Sequence, residues 1–274
     1  MTLPVNSFLR YFSALFTTLL LVASTMTSAS AQGKMARYGE FAAEPAVIDH
    51  SAFNSFLQTY VSESADGRTI LNYAGVSSED RRALQDYLEV LEDTDPATLT
   101  KAQAYAYWVN LYNALTVEVI LDRYPLDSIR DISFGLGPWG KKLVRVSGKK
   151  ISLNNIEHDI LRVFWSDPRT HYAVNCASFG CPNLQAVAFT AENTEELLEK
   201  GAREYVNHPR GVSVDDNGDV TVSSIYNWYQ VDFGDSAQGV LDHVRIYAEP
   251  ELAAKLEGKT KIDGYDYDWA LNNQ

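Results

Sequence analysis

The chain has 274 residues, 46% of them hydrophobic and 12% aromatic, a composition that builds an ordered globule rather than a disordered segment. It carries 36 acidic against 23 basic side chains, for a formal charge of -13. Such a surface repels nucleic acid and anionic membranes, so neither is expected as a partner.

In chain order, the first feature is an address label. Arg10 provides a short positive region, Tyr11 to Ala23 an apolar run, and Ala29-Ser30-Ala31 a small-residue cleavage site, so residues 1–31 read as a signal peptide. The apolar run falls short of the roughly 20 residues a span needs. After cleavage no membrane span is expected, and the location is periplasmic or secreted. Residues 32–274 are long enough to bury one substantial core. They are read as a single domain, with a helical part over 32–97 and a core over 98–274.

Apolar residues at helical spacing predict a helix around Ala52 to Tyr60 and a second through Leu84, Tyr87, Leu88 and Leu91, capped by Ser77 or Ser78. Thr98 to Arg123 is apolar nearly all round, which predicts a central helix buried on several sides and ended by Pro125. Lys142 to Leu153 reads as a hairpin turning at Ser147-Gly148. Asn154 with Glu157 three residues on predicts a capped helix over Asn155 to Trp165. His171 to Asn175 reads as a short strand, and Val212 to Val222 as a hairpin turning at Asp215-Asp216-Asn217-Gly218. A helix is expected from Ala237 to Ala248, and a last strand through Tyr265, Tyr267 and Trp269. Helices bracketing short hairpins make an α+β fold, with the central and flanking helices on a small, largely antiparallel sheet.

The segments AYWVNLYNALTVEVIL, YPLDSIRDI, LNNIEHDILR, DPRTHYAVNCASFGCPNL, SSIYNWYQVDF and YDYDWALN occur in an order that resembles the domain of unknown function 547 family. The likeness covers roughly Thr98 to Asn272. It implies exported bacterial relatives and others joined to signalling or redox domains. It supplies no reaction.

Reactive side chains are densest between Asn154 and Pro182, the stretch that holds both cysteines, His158 and His171. Cys176 and Cys181 have three readings: a disulfide in an oxidising compartment, a Cys176 nucleophile where a strand breaks into a loop, or a pair of metal ligands. The third lacks the usual closer spacing and partner ligands, and no metal or cofactor is expected. Strand alternation would turn His171 away from Cys176, which leaves His158 as the candidate base. Asn110 and Asn113 lie three apart on one face of the central helix, and buried amides need specific partners. Candidate binding groups are Asn110, Asn113, Glu157, Arg169, His171 and Asn175.

Nothing matches a P-loop, a dinucleotide fingerprint, a nucleophile elbow or a zincin helix. The Asp215 to Asp219 run lacks the spacing of a calcium loop. Two functions follow. One is an exported thiol enzyme that transfers or hydrolyses acyl or amide groups of a peptide-like or cell-wall substrate, with Cys176 and His158 catalytic, in a fold distantly like thiol-peptidase or transglutaminase-like folds. The other is a non-enzymatic periplasmic binding or scaffold domain stapled by Cys176–Cys181, with aromatics lining a groove for a small-molecule or peptide-like ligand.

Overall fold

The computed structural model describes residues 35–133 and 137–274. The expected signal peptide lies outside the described residues. Helices dominate. We label the longer ones α1 (Ser51–Tyr60), α2 (Ser78–Asp93), α3 (Lys101–Leu121), α4 (Thr194–Val206), α5 (Ala237–Tyr247) and α6 (Pro250–Leu256). The strands are β1 (Val61–Glu63), β2 (Thr69–Leu71), β3 (Val144–Val146), β4 (Lys149–Ile151), β5 (Val212–Val214), β6 (Val220–Ser223) and β7 (Gly264–Asp266). No helix among the described residues is long and apolar enough to cross a membrane.

Helix α3 is the axis of the fold. Thr100 caps it by accepting from the Gln103 N–H, and the Gln103 side chain returns to the Thr100 backbone. Every residue from Ala104 to Val117 is buried, Trp108 and Leu111 completely, so this helix presents no polar face to water. Leu115 belongs to the same core, while Val119 packs against it only partly buried. Helices α1 and α2 lay Phe53, Phe56, Leu84, Tyr87 and Leu91 on this core, so the segment before residue 98 shares one apolar cluster with α3. Each fully buried side chain of this size contributes about 1.5–3 kcal/mol through its removal from water.

The α+β reading holds, but the expected single sheet is dispersed into three. β1–β2 and β3–β4 are isolated antiparallel hairpins, and β5–β6 is an antiparallel pair to which β7 adds in parallel. The β3–β4 turn places Ser147 at φ 46 and Gly148 at φ 79, the two left-handed positions of a tight hairpin. At the β5–β6 turn, Asp215 accepts from the Asn217 and Asp219 N–H groups, each at 2.9 Å. Its carboxyl thus replaces backbone partners in the turn.

One expectation needs correction. The strand expected over His171 to Asn175 is a helical turn, Thr170–Ala173, followed by extended chain. The helix expected from Ala237 to Ala248 ends at Tyr247, and α6 starts afresh at Pro250, because proline at the first helical position sacrifices no internal hydrogen bond. A second apolar cluster, built from α4, α5 and β5–β6 around Tyr205, Val222, Tyr226 and Leu241, flanks the first. The candidate site lies where the two clusters meet.

Candidate functional site

A cavity of about 300 Å³ opens between the clusters, at the compact end of ligand-site volumes. Six aromatic side chains line it: Tyr112 from α3, Trp139, Trp228, Tyr229, Tyr267 and Trp269. Trp228 and Trp269 stack at 5.5 Å, Tyr267 tilts against Trp269 at 4.6 Å, and Trp139 meets Trp269 edge-on at 5.7 Å. The rings therefore present faces at several angles. Trp228 stays 45% exposed, so it borders solvent as well as the cavity.

Cys176 and Cys181 form a disulfide in the cavity wall, with alpha carbons 6.3 Å apart. Of the three readings of the pair, the disulfide is the one realised. The Cys176 N–H donates to the Cys181 sulfur at 3.0 Å, and the Tyr267 hydroxyl lies 3.1 Å from Cys176 Sγ and 3.2 Å from Cys181 Sγ. The loop between them is held from below. Asn113 Oδ1 accepts from the Asn175 N–H at 2.8 Å, and its Nδ2 donates to the Ala173 carbonyl at 2.9 Å. Asn175 in turn donates to the Pro182 carbonyl and accepts from the Ala177 N–H, which closes the loop on itself.

Glu157 enters the cavity from a π-helical segment, Asn155–Leu161, whose winding shows in the Arg162 N–H bonding the Glu157 carbonyl five residues back. The helix starts earlier than expected. Asn154 makes no side-chain cap; instead Ser152 Oγ accepts from the Asn155 N–H and Asn155 Oδ1 accepts from the Ser152 N–H. The Glu157 side chain is 7% exposed, and its carboxyl acts electrostatically on the Tyr112 and Tyr229 hydroxyls. Burial, reinforced by this carboxylate, pushes the Tyr229 hydroxyl well above the usual tyrosine range. The ring nitrogens Nδ1 of His158 and of His171 each lie 3.8 Å from Glu157 Oε1.

His171 lines the cavity and stacks on Tyr229 at 4.3 Å. Its Nε2 meets Asp232 Oδ2 at 2.7 Å, and Arg162 Nε pairs with the same carboxylate at 2.5 Å. Burial alone would raise the Asp232 pKa, but the hydrogen bonds from His171 and Arg162 win and hold it at about 2. His158 sits beside this group but does not line the cavity. Desolvation, and then the neighbouring Arg162, lower its pKa despite Glu157.

The structure thus brings together Cys176, Cys181, Glu157 and His171. It takes His158, Asn110, Asn113, Asn175 and Arg169 off the cavity surface. Asn110 clamps the Phe189 backbone through both its amide atoms, and Arg169 is bound by Asp167 and Glu195. Preference for His158 over His171 rested on a strand that is a helical turn, and the histidine facing the disulfide's cavity is His171. Sequence reasoning missed Tyr112, Tyr229, Asp232 and the tryptophans. The signal for three of these was at hand, because Trp228, Tyr229 and Asp232 crowd into SSIYNWYQVDF.

Fold and cavity together define an α+β domain with an aromatic, disulfide-walled pocket. Residues 96–206 match the family model described as protein of unknown function, DUF547. No curated protein and no solved structure matches the chain, so the expected likeness to thiol-peptidase or transglutaminase-like folds is carried by no match.

Proposed function

We propose that the protein is an exported binding domain that takes a small ligand into the aromatic cavity, with Cys176–Cys181 as a staple. The observation that carries this reading is the cavity itself: six rings around one buried carboxyl, in a volume suited to a compact molecule. The disulfide supports an oxidising compartment, in keeping with the leader-like sequence over 1–31. Three of the five tryptophans line the cavity, so ligand entry should change intrinsic fluorescence. A panel of small polar and charged solutes, scored by fluorescence and thermal shift, tests the idea. Saturable shifts that vanish in Trp228→Ala support it, and a panel with no saturable response refutes it.

A second reading is favoured by one observation, that Cys176 and His171 share the cavity. Reduction by an external thiol would free Cys176 to add to an acyl or amide carbonyl, with His171, backed by Asp232, returning a proton to the leaving amine. Water would then release the acyl group. Alkylation of the native protein decides between them: a protein isolated with two free thiols supports the enzyme, and a bridged 176–181 peptide supports the staple.

A further inference from the structure

We infer that the cavity recognises a quaternary or methylated ammonium group, held by the faces of Trp139, Trp228, Tyr267 and Trp269 and by the carboxyl of Glu157. This rests on the reading of the cavity as a ligand site and names the chemistry of what fills it.

Three observations converge. First, the lining is aromatic on several sides, and aromatic faces attract a cation through their quadrupole, most strongly when the cation is stripped of water. A hydrated ammonium loses that attraction to its own solvent, whereas methylation removes the competing hydrogen bonds and fits apolar rings. Second, these rings already take cations, since the Arg130 guanidinium rests over Trp269 at 5.1 Å and the Arg162 guanidinium over Tyr229 at 5.0 Å, while the fixed charge in the lining itself is acidic. Among the described residues lining the cavity there is no lysine or arginine, and Glu157 is the carboxylic acid. Its ion-pair partners are imidazoles at 3.8 Å, and the Arg162 guanidinium is engaged by Asp232. Third, the Glu157 side chain is only 7% exposed, so water screens its carboxyl little. A formal charge of -13 adds a long-range field that draws cations toward the protein.

Anionic ligands are disfavoured by the same features. A neutral sugar would find rings to stack on, but it gives Glu157 no counter-charge.

The test uses the full mature protein at constant ionic strength. Choline is titrated against its uncharged carbon isostere, 3,3-dimethyl-1-butanol, with tryptophan fluorescence and calorimetry as readouts. Choline should bind saturably, and the isostere about 30-fold more weakly, the difference a desolvated cation on aromatic faces supplies. Glu157→Gln, which removes the carboxyl at nearly constant side-chain size, should weaken choline about tenfold or more and leave the isostere unchanged. If that variant fails to fold, the isostere comparison in the unaltered protein still decides. Sedimentation with phosphatidylcholine vesicles that free choline competes away assigns the group to a lipid headgroup, and choline binding without sedimentation assigns it to a free solute. Either result bears out an ammonium site. Equal binding of choline and the isostere, or saturation by N-acetylglucosamine but not choline, overturns the ammonium inference while the binding reading stands. No response to any probe overturns both.

Discussion

Asn113 on the central helix grips the chain on both sides of Val174, bonding the Ala173 carbonyl and the Asn175 N–H through its two amide atoms. One side chain thereby replaces the backbone partners that the cysteine loop lacks, and it links the most buried helix to the disulfide two residues further on.

Asn113→Ala should therefore destabilise the fold by about 2–4 kcal/mol, since a buried donor and a buried acceptor both lose their partner. Urea unfolding of the variant measures this. A loss below half a kcal/mol would mean that water replaces the amide without cost.

The disulfide closes a very short loop, so its effect on stability should be modest. The Cys176→Ser/Cys181→Ser double variant should lose about 2 kcal/mol by the chain-entropy argument, and a reducing agent should lower the melting temperature of the natural protein but not of this variant. Thermal unfolding with and without reductant measures both.

Acid should weaken the protein in two stages. His50 bonds Tyr87, His243 bonds Tyr172, and burial lowers both imidazoles to about 4. The unfolded chain then binds more protons than the folded one between pH 6.5 and 4, so stability is fully present above pH 6.5 and is lost as pH falls through that window. For His50, only 8% exposed, the loss is on the order of 3 kcal/mol. Asp232, held at about 2, adds a further loss between about pH 3.8 and 2. Urea midpoints at about pH 7, 5, 3.8 and 2 follow both stages, and His50→Gln with His243→Gln should flatten the first.

In a Cys181→Ser background the Cys176 thiol is free beside the Tyr267 hydroxyl. Its alkylation at pH 7 should slow when His171 is changed to Gln and stay unchanged when His158 is, because His171 faces the cavity. The rate of iodoacetamide labelling reads this out. The reverse order would restore His158 as the thiol's partner.

Local pattern made much of the fold legible. The all-round apolar run of α3, its Thr100–Gln103 cap and the Ser147-Gly148 turn each obey rules that act within a few residues. The turn at 170–173 failed because its cause is polar, while its alternating apolar residues mimic a strand. Asp167 Oδ1 accepts from the Arg169 N–H, and the Thr170, His171 and Tyr172 N–H groups bond successively to the carbonyls of Asp167, Pro168 and Arg169. The site itself was legible only in part. Asp232 lies 61 residues from His171 and Tyr267 lies 91 from Cys176, distances over which no spacing rule operates. Asn110 and Asn113 were rightly singled out as buried amides needing partners, and those partners are backbone groups of distant loops.

The π-helical winding that carries Glu157 makes the character of the cavity a matter of chain length. A π segment holds one more residue than the α-helix it interrupts. Shortening Asn155–Leu161 by a single position would restore ordinary pitch and leave the flanking turns in register, while residues inside the segment, Glu157 among them, would face a new direction by up to about 100°. Glu157 would leave the aromatic wall with its neighbours otherwise intact. A lineage could thus exchange a charged pocket for an uncharged one in one deletion, without replacing any aromatic side chain.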